Sequence, residues 1–487
     1  MRKNSEKIMA MDLIHKYHLC GHYIILDIPS GGVFSVDKLT YELLDLLTPP
    51  FFPRLSSDIY NKLSEYAPPF SPRLSSDIYN KLSEYAPSEI DEAYSEICEL
   101  AEKGLLFTQE ETPDISGIAK NAPVKALCLH IAHDCNLKCE YCFAAKGDFG
   151  HGRELMSEKI GFAAIDFLIA NSADRINLEV DFFGGEPLMN YDVVKSIVKY
   201  ARNLEKKHNK NFRFTLTTNG LLLDDEITRH INKEMSNVVL SLDGRREIND
   251  RIRPCINGKG SYDVIVPKFK KLVSERLCVK NDFQYSDYYI RGTFTKHNLD
   301  FCNDVLHIND LGFEQISIEP VVGDFSQDYQ FGEEDLPTIF DEYEKLAFEL
   351  IKRKKAGKHI NFFHFMLDLS GGPCLLKRLR GCGSGSEYLA ITPNGDFYPC
   401  HQFVRMSEWK MGNVLTGDID KNKRKIFDKT SIYDKSDCGK CWAKYYCSGG
   451  CNANNYQFEG DILKPHKISC ELEKKRLECA IMMKVIV

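Results

Sequence analysis

Cys135, Cys139 and Cys142, spaced CxxxCxxC, are the residues of this sequence best suited to chemistry. Three thiolates this close together can hold one iron-sulfur cube and leave its fourth iron open to a small molecule. They could also be half of a zinc site, but structural zinc has four closed ligands, and no neighbouring Cys or His in the sequence completes the set. A disulfide fits less well, because an odd cluster of thiols in a long chain that lacks a secretory signal cannot pair internally.

The cysteine loop follows a predicted strand that begins near Leu129, so the cysteines should hang at its C-terminal end. That end is where α/β barrels carry their chemistry. CxxxCxxC closed by Phe143 after a strand resembles the signature of the radical S-adenosylmethionine (SAM) enzymes. The resemblance implies that the open iron is chelated by the amino and carboxylate groups of SAM, and that one electron from the cluster cleaves SAM to a 5′-deoxyadenosyl radical.

Later predicted strands of this region also end in small or polar residues. They run into Gly184-Gly185-Glu186-Pro187, Thr218-Asn219-Gly220 and Leu242-Asp243-Gly244. Each of these strand endings alone is typical of an ordinary turn between a strand and a helix. Adjacent glycines let a backbone approach a ligand closely, and an acidic residue beside them can accept from an amine. In this order after the cysteine loop, the tips resemble the radical SAM core. The SAM contacts that this resemblance implies are Gly184, Gly185 and Glu186 for the amino group, Ser241 for the ribose, Arg253 for the carboxylate and Tyr141 for the adenine.

Strands and helices alternate from residue 124 to 335, which predicts a parallel sheet and an α/β fold. With strands expected at 289–295 and 315–320, the resemblance implies a partial (β/α)6 radical SAM barrel whose open side has room for a large substrate. A bridging helical segment, 336–373, follows. Its amphipathic helix should seal the edge of the barrel with four apolar residues on one face, namely Ile339, Tyr343, Leu346 and Leu350.

The region 374–487 carries a second cysteine pattern. Its CxxC pair at Cys438 and Cys441 could be a zinc knuckle if it stood alone. The whole series resembles instead the SPASM domain, the auxiliary-cluster module of radical SAM peptide modifiers. That resemblance implies one [4Fe-4S] cluster on Cys438, Cys441, Cys447 and Cys470, and another on Cys382, Cys400 and Cys451. Three [4Fe-4S] clusters and SAM are thus the expected cofactors.

Cys374 is the candidate fourth ligand of the cluster on Cys382, Cys400 and Cys451. It lies further upstream of Cys382 than relatives with a closed site usually show. Either Cys374 closes the site, or the cluster has an open iron that could take a thiolate from the substrate. Seven other cysteines follow no ligand spacing and are expected to be reduced core or surface residues. They are Cys20, Cys98, Cys128, Cys255, Cys278, Cys302 and Cys479.

Residues 1–112 predict a small winged-helix-like module. A strand over 23–28, a glycine turn and a return strand over 33–36 form a hairpin, and helices should begin after Asp37 and near Ile90. The hairpin edge around 23–28 could accept a peptide strand, although a plain packing domain has the same pattern. Joined to a radical SAM core, the module resembles a leader-peptide recognition element. An acidic, proline-containing stretch, 113–123, is the expected linker.

The sixteen residues from Pro53 to Pro68 recur without a change from Pro72 to Pro87. Two copies are too few for a solenoid. We expect one copy to form the middle helix of the module and the other to be a tolerated insertion.

The composition limits the remaining classes of function. At 487 residues the chain should divide into two or three domains. A net charge of -7 gives no electrostatic case for nucleic acid or an anionic membrane as partner. No stretch has the apolar length of a membrane span or of a signal-peptide core, so a cytoplasmic protein is predicted, in which eighteen cysteines indicate metal rather than disulfides.

One position selects a subgroup of SPASM proteins. Sulfatase-maturing enzymes carry an aspartate directly after the cysteine that corresponds to Cys400, whereas this chain has His401. With the N-terminal module and the run from His130 to Cys135, this most resembles the maturases of SCIFF (six-cysteine) peptides, which join cysteine sulfur to carbon as a thioether. The resemblance implies a ribosomally made precursor peptide bound through its leader, and a reductant such as flavodoxin or ferredoxin. His401 is the candidate catalytic residue, as a proton carrier, with a structural hydrogen bond as the alternative.

Two other functions stay open. A SPASM enzyme of another outcome would oxidise a side chain, epimerise a residue or form a carbon-carbon crosslink in a peptide or protein. A non-catalytic iron-sulfur or zinc module would only bind a peptide. A measurement of iron content distinguishes this non-catalytic module from the proposed enzyme, because three [4Fe-4S] cubes imply about twelve irons per chain.

Overall fold

The computed structural model describes residues 13–47, 74–110, 122–278, 287–323, 327–369 and 375–486. Cys374, the first copy of the repeat (53–68) and most of the expected linker (113–121) lie outside these ranges. The described residues form an α/β fold with a three-stranded antiparallel sheet near the N-terminus and a twelve-stranded mixed sheet in the rest of the chain. The predicted α/β fold is confirmed.

The N-terminal module contains one strand more than the sequence indicated. Its strands are β1 (Ile14–Leu19), β2 (His22–Asp27) and β3 (Val33–Val36), and its helices are α1 (Lys38–Leu46), α2 (Ser76–Lys81) and α3 (Pro87–Glu102). Asp37 caps α1 by accepting from the backbone N–H of Thr40 at 2.7 Å. The second copy of the repeat supplies α2, as expected for one of the copies.

β2 lies in the middle of the N-terminal sheet, paired on one side with β1 and on the other with β3. The strand predicted at 23–28 is present, but the prediction that it offers a free edge is wrong. Among the described residues, the unpaired outer edges belong to β1 and β3. The apolar face of the sheet, including Ile24 and Leu26, joins the main core of the protein.

Six parallel strands form the centre of the large sheet, as predicted. They are β4 (Ala126–His133), β6 (Asn177–Gly184), β7 (Asn211–Thr218), β8 (Asn237–Ser241), β9 (Asp287–Phe294) and β10 (Gln315–Pro320), while the short β5 (Glu154–Leu155) pairs antiparallel with β4 and β11 (Asn361–Phe362) extends the sheet beyond β10. Alternate residues of β7, such as Phe212, Phe214 and Leu216, are fully buried in the main core. The residues between them face the other side of the sheet.

The helices that connect these strands cover the apolar face of the sheet. They are α4 (Glu158–Asn171), α5 (Tyr191–His208), α6 (Asp225–Glu234), α7 (Arg246–Ile252), α8 (Tyr262–Cys278) and α9 (Phe301–Asp310). β4 pairs with a strand from the C-terminal region instead of with β10. Since the two ends of the six-stranded unit do not meet, the barrel is partial.

α10 (Leu336–Lys355) follows the barrel, and its predicted apolar face is confirmed, because Ile339, Tyr343, Leu346 and Leu350 are all buried. It packs against α9 and against the last described helix, α15 (Lys467–Ile486). None of the helices in the described ranges is long and apolar enough to cross a membrane.

The C-terminal region is continuous with the barrel sheet. Its first strand, β12, pairs in parallel with β4, and the following strands extend this edge antiparallel. Its elements are α11 (Leu375–Arg380), β12 (Tyr388–Ile391), β13 (Asp396–Tyr398), β14 (Gly412–Asn413), β15 (Asp418–Ile419), α12 (Lys421–Phe427), α13 (Lys444–Cys447), α14 (Asn452–Glu459) and α15. The sheet therefore crosses the boundary expected near residue 374.

The N-terminal module docks on the C-terminal region. The ring of His15 stacks on that of Trp442 with centroids 3.8 Å apart, and the Tyr17 hydroxyl donates to the Glu478 carbonyl at 2.9 Å. These contacts, and the shared apolar core, make the module an integral part of the structure.

Candidate active site

A cavity of about 430 Å³ opens at the C-terminal ends of the parallel strands, between the barrel and the C-terminal region. Cysteines from all three predicted ligand groups border it, namely Cys135, Cys139 and Cys142 from the loop after β4, Cys451 from one C-terminal group, and Cys447 and Cys470 from the other. Every residue expected to contact SAM lines the same cavity: Tyr141, Gly184, Gly185, Glu186, Ser241 and Arg253. The fold thus brings Cys135 and Cys470, which are 335 positions apart in the sequence, to the same cavity.

The loop of Cys135, Cys139 and Cys142 is held by Asn219 at the tip of β7. The Asn219 carboxamide donates to Asn136 Oδ1 at 2.7 Å and to the sulfur of Cys135 at 3.8 Å. Burial raises the pKa of the Cys135 and Cys139 thiols to about 12. A thiolate at these positions therefore needs a cation beside it, and soft sulfur donors of this kind suit an iron-sulfur cluster.

Gly184 and Gly185 allow the tip of β6 to pack on the cysteine loop. A Cβ on Gly185 would stand 2.1 Å from the Asp134 carbonyl oxygen, and one on Gly184, whose φ is +121°, would stand 2.4 Å from that of Ala132. The Gly185 N–H donates to the Ala132 carbonyl at 2.7 Å. The chain's own backbone thus fills the space beside these glycines, where the sequence predicts a ligand.

The carboxylate of Glu186 joins the tips of β6 and β7. It is 1% exposed and accepts from the N–H of Leu188 at 3.0 Å, the hydroxyl of Thr218 at 2.7 Å and the N–H of Asn219 at 2.7 Å. Burial raises its pKa, and these donors oppose that shift. A carboxylate offers about four acceptor sites, so room for one further donor remains.

Tyr141, Asp243 and Arg253 form a buried polar network beside the cavity. The Tyr141 hydroxyl donates to the Asp243 carboxylate, with 2.9 Å to each oxygen, and accepts from Arg253 Nη1 at 2.7 Å. Arg253 Nη1 also lies 3.7 Å from Asp243 Oδ1, which accepts from the N–H of Thr293 at 3.0 Å. Asp243 is fully buried. The sequence indicates Asp243 only as the ending of a strand and predicts no contact for it.

Arg253 keeps a buried Nε–H that has no hydrogen-bond partner in the described structure. An unpartnered buried donor costs free energy, so an anion that completes the guanidinium is favoured here. The carboxylate of SAM has the charge and shape for that place. Ser241 and the aromatic ring of Tyr141 line the same cavity. The SAM contacts that the resemblance implies are compatible with this arrangement and stay predictions.

The C-terminal cysteines influence one another electrostatically, and their division into two ligand groups stays a prediction. Burial raises the pKa of Cys400, and the charges of Cys451 and Cys382 raise it further. The pKa of Cys470 is raised to about 11 by burial, with further contributions from Cys438 and Cys441. Cys447 interacts with Cys470 and Cys438. All seven unassigned cysteines are free thiols, with Cys128, Cys302 and Cys479 buried, as expected for reduced residues.

His401 lines the cavity between the rings of Phe143 and Phe183, with centroid distances of 5.5 and 4.9 Å. Its Nδ1 is buried and has no partner among the described residues. Burial lowers the pKa of His401 to about 3, so the ring is neutral. A neutral imidazole with a free nitrogen can accept a hydrogen bond from a bound substrate.

His130 and His133 are buried nearby and were missed as a pair by sequence analysis. Nδ1 of His130 and Nε2 of His133 are 3.0 Å apart, and burial lowers the pKa of both rings. Spacing of three along a strand normally sends side chains to opposite faces, so the contact could not be expected.

Comparison with known proteins identifies two family matches in this chain. Residues 129–281 match the radical SAM superfamily, and residues 382–442 match SPASM, an iron-sulfur cluster-binding domain. The first match contains the loop from Cys135 to Cys142 and all six expected SAM contacts. The second contains Cys382, Cys400, Cys438 and Cys441.

The curated relatives include a radical SAM cyclopropyl synthase, TigE, of Paramaledivibacter caminithermalis. It is 21% identical over 471 residues, which cover 91% of this chain and 89% of the relative. A cysteine-type anaerobic sulfatase-maturating enzyme of Clostridium perfringens is 26% identical over 358 residues, which cover 68% of this chain and 89% of that enzyme.

Two solved structures share the fold. One of anSMEcpe with bound AdoMet has a TM-score of 0.61 at 19% identity and covers 75% of this chain and 98% of its own. One of Streptococcus suis SuiB bound to S-adenosylmethionine has a TM-score of 0.50 at 16% identity and covers 94% and 98%. At these identities the likeness establishes a common fold.

Proposed function

We propose that this chain, which belongs to the radical SAM enzymes that carry a SPASM domain, joins a cysteine sulfur to a carbon atom of a ribosomally made, cysteine-rich precursor peptide. The observation that carries the proposal is the single cavity bordered by cysteines of all three groups. A peptide there would lie between the residues that fit SAM and the C-terminal cysteines. The curated relatives support a modifying enzyme, because one is named a cyclopropyl synthase and another a sulfatase-maturating enzyme.

SAM and its cluster would supply a radical that removes a hydrogen atom from the substrate carbon. The chain's own residues bind and orient the reactants. Arg253 holds a carboxylate, Ser241 a ribose hydroxyl and Tyr141 an adenine, while the loop of Cys135, Cys139 and Cys142 holds the cluster.

Thioether formation removes two hydrogens from the peptide. One leaves as a hydrogen atom, and the other leaves the thiol as a proton, with one electron passed to an acceptor. The neutral ring of His401, with its unpartnered Nδ1, is the group in the cavity wall that we propose for contact with the thiol. Cys447, Cys451 and Cys470 of the C-terminal groups border the same cavity, and a cluster held there would take up the electron.

Incubating the reconstituted enzyme without oxygen, with SAM, a strong reductant and each short cysteine-rich peptide found to be encoded by a neighbouring reading frame, tests this function. We expect each crosslink to lower the peptide mass by two hydrogens and to consume one thiol that alkylating reagents can otherwise label. A carbon-carbon crosslink would lose the hydrogens and keep the thiol. An epimerised product would keep its mass, and an unchanged peptide with intact 5′-deoxyadenosine production would reject this substrate class.

The N-terminal module is our proposed leader-binding element, with the edge corrected by the structure. A leader strand cannot add to β2, whose two edges are already paired. β1 directs His15 and Tyr17 onto Glu478 of α15. We therefore propose that the leader adds to the outer edge of β3, which pairs only with β2 among the described residues.

Hydrogen exchange tests the leader edge without removing the module, whose residues Ile24 and Leu26 are part of the main core. Adding the leader peptide to the full chain should slow exchange of backbone amides over 33–36, because an added strand accepts hydrogen bonds from the outer N–H groups of β3. Amides over 14–19 should exchange as before. A leader of scrambled sequence is the control, and slowed exchange in β1 alone would contradict this assignment.

A further inference from the structure

Lys435 is a buried lysine at the junction of the two C-terminal cysteine groups. Lys435 is only 3% exposed. The Nζ donates to the carbonyl oxygen of Gly449 at 2.5 Å and to Oδ1 of Asn452 at 2.8 Å. Gly449 lies in the turn between Cys447, of one group, and Cys451, of the other. The ammonium is therefore hydrogen-bonded to the segment that contributes Cys447 to one group and Cys451 to the other.

The charges around Lys435 come from cysteines. Negative charge on Cys438 and Cys447 of one group, and on Cys451 and Cys382 of the other, raises the pKa of its amine. Within the described ranges, no carboxylate lies at ion-pair distance from its Nζ. Lys444, by contrast, is also buried, but its Nζ lies 2.7 Å from the Glu110 carboxylate.

A buried ammonium is normally retained only when an opposite charge faces it. Protonated thiols give Lys435 no such charge, whereas thiolates bound to iron do. Burial alone lowers the pKa of Lys435, and thiolates on both sides act in the opposite direction. The missing counter-charge is thus the one that two clusters would bring.

We propose that Lys435 is a positive charge shared by the two C-terminal clusters and that it raises the reduction potentials of both. The inference rests on the proposed function in that the two cysteine groups hold clusters. Reduction adds negative charge to a site that is already anionic, and a nearby cation stabilises the reduced form. Clusters tuned in this way accept the electron released by crosslinking more readily. Lys435 is a positioning residue, because it acts through the clusters and touches no reacting atom.

Redox titration followed by electron paramagnetic resonance tests the proposal on the full-length, reconstituted chain. Lys435→Gln removes the charge and keeps a donor for the Gly449 carbonyl, Lys435→Met removes both, and Lys435→Arg keeps the charge. We expect the midpoint potentials of both C-terminal clusters to fall in the Gln and Met variants and to stay near the wild-type values in the Arg variant. The cluster on Cys135, Cys139 and Cys142 is the internal control and should not shift.

Iron content, measured first on the wild type, keeps the two hypotheses apart. A wild-type protein that lacks one of the C-terminal clusters would reject the proposed cofactor set before any variant is made. With all clusters present, unchanged potentials in Lys435→Gln, or a shift at only one C-terminal cluster, would overturn the shared-charge role. Loss of iron from both C-terminal sites in the neutral variants but not in Lys435→Arg supports the role of the charge. An equal loss of iron in Lys435→Arg would show that Lys435 acts through packing, and it would overturn the shared-charge role.

Discussion

Replacing Cys135, Cys139 and Cys142 together by alanine is expected to abolish the production of 5′-deoxyadenosine from SAM. The three thiols share one loop after β4 and border the same cavity as the residues that fit SAM. Without them no cluster can be held at this end of the cavity. The bound iron should fall by about one third, the share of one cube among three. Anaerobic assays of 5′-deoxyadenosine and of iron content measure both effects.

The matched control replaces Cys20, Cys98 and Cys278 by alanine. Cys20 and Cys278 are exposed, and Cys98 belongs to the N-terminal module, away from the cavity. Iron content and SAM cleavage should match those of the wild type. Continued SAM cleavage in the Cys135, Cys139 and Cys142 variant would reject the assignment of this loop, and loss of all iron would show that the C-terminal sites depend on it.

Several strands of the barrel could be predicted from the sequence because buried and less buried residues alternate along them, as in β7, β8 and β9. The strand expected at 315–320 agrees with β10 at both ends, and the one expected at 289–295 agrees with β9 within two residues at each end. Cysteine spacing was equally informative. Sulfurs that must bind one cluster have to meet, so a spacing pattern alone predicts groups that the fold then brings together.

β1 could not be predicted, because His15, Lys16 and His18 interrupt its apolar pattern. His15 and Tyr17 are accommodated by Glu478, more than 450 positions away, which only the folded chain brings near. Missing β1 made β2 look like an edge strand. The missed strand β1 therefore led to a wrong prediction of the edge that is open to a peptide.

The reason for Gly184 and Gly185 was also out of reach of the sequence. Glycine indicates that something comes close, and the sequence does not say whether it is a ligand or the chain itself. In the structure it is the carbonyls of Ala132 and Asp134. Lys435 illustrates the same limit, since a lysine three residues before a cysteine gives no sign that it is buried between two cysteine groups.

Arg253→Ala is expected to weaken SAM binding strongly. A hydrogen-bonded pair with a charged group contributes about 1.5–3 kcal/mol, which corresponds to roughly a 10- to 100-fold rise in the KM for SAM. The buried Asp243 carboxylate would also lose its cation, so Tyr141 would be held less firmly. Arg253→Lys should recover only part of the affinity, because an ammonium keeps the charge but cannot form the planar, forked contact of a guanidinium.

Arg251→Ala is the matched control for Arg253. Arg251 lies in the last turn of α7, two residues before Arg253, and its side chain is exposed and donates to the His297 carbonyl at 2.9 Å. Equilibrium binding of SAM to the reconstituted enzyme separates affinity from turnover. If Arg253 binds the carboxylate, binding weakens while iron content stays at the wild-type level. Unchanged SAM binding in Arg253→Ala would instead assign the arginine to structure alone, as the partner of Tyr141 and Asp243. Asp243→Asn distinguishes the remaining case: it keeps Arg253 but removes the charge opposite it, so SAM binding that falls with Asp243→Asn as far as with Arg253→Ala would place the effect in the network as a unit.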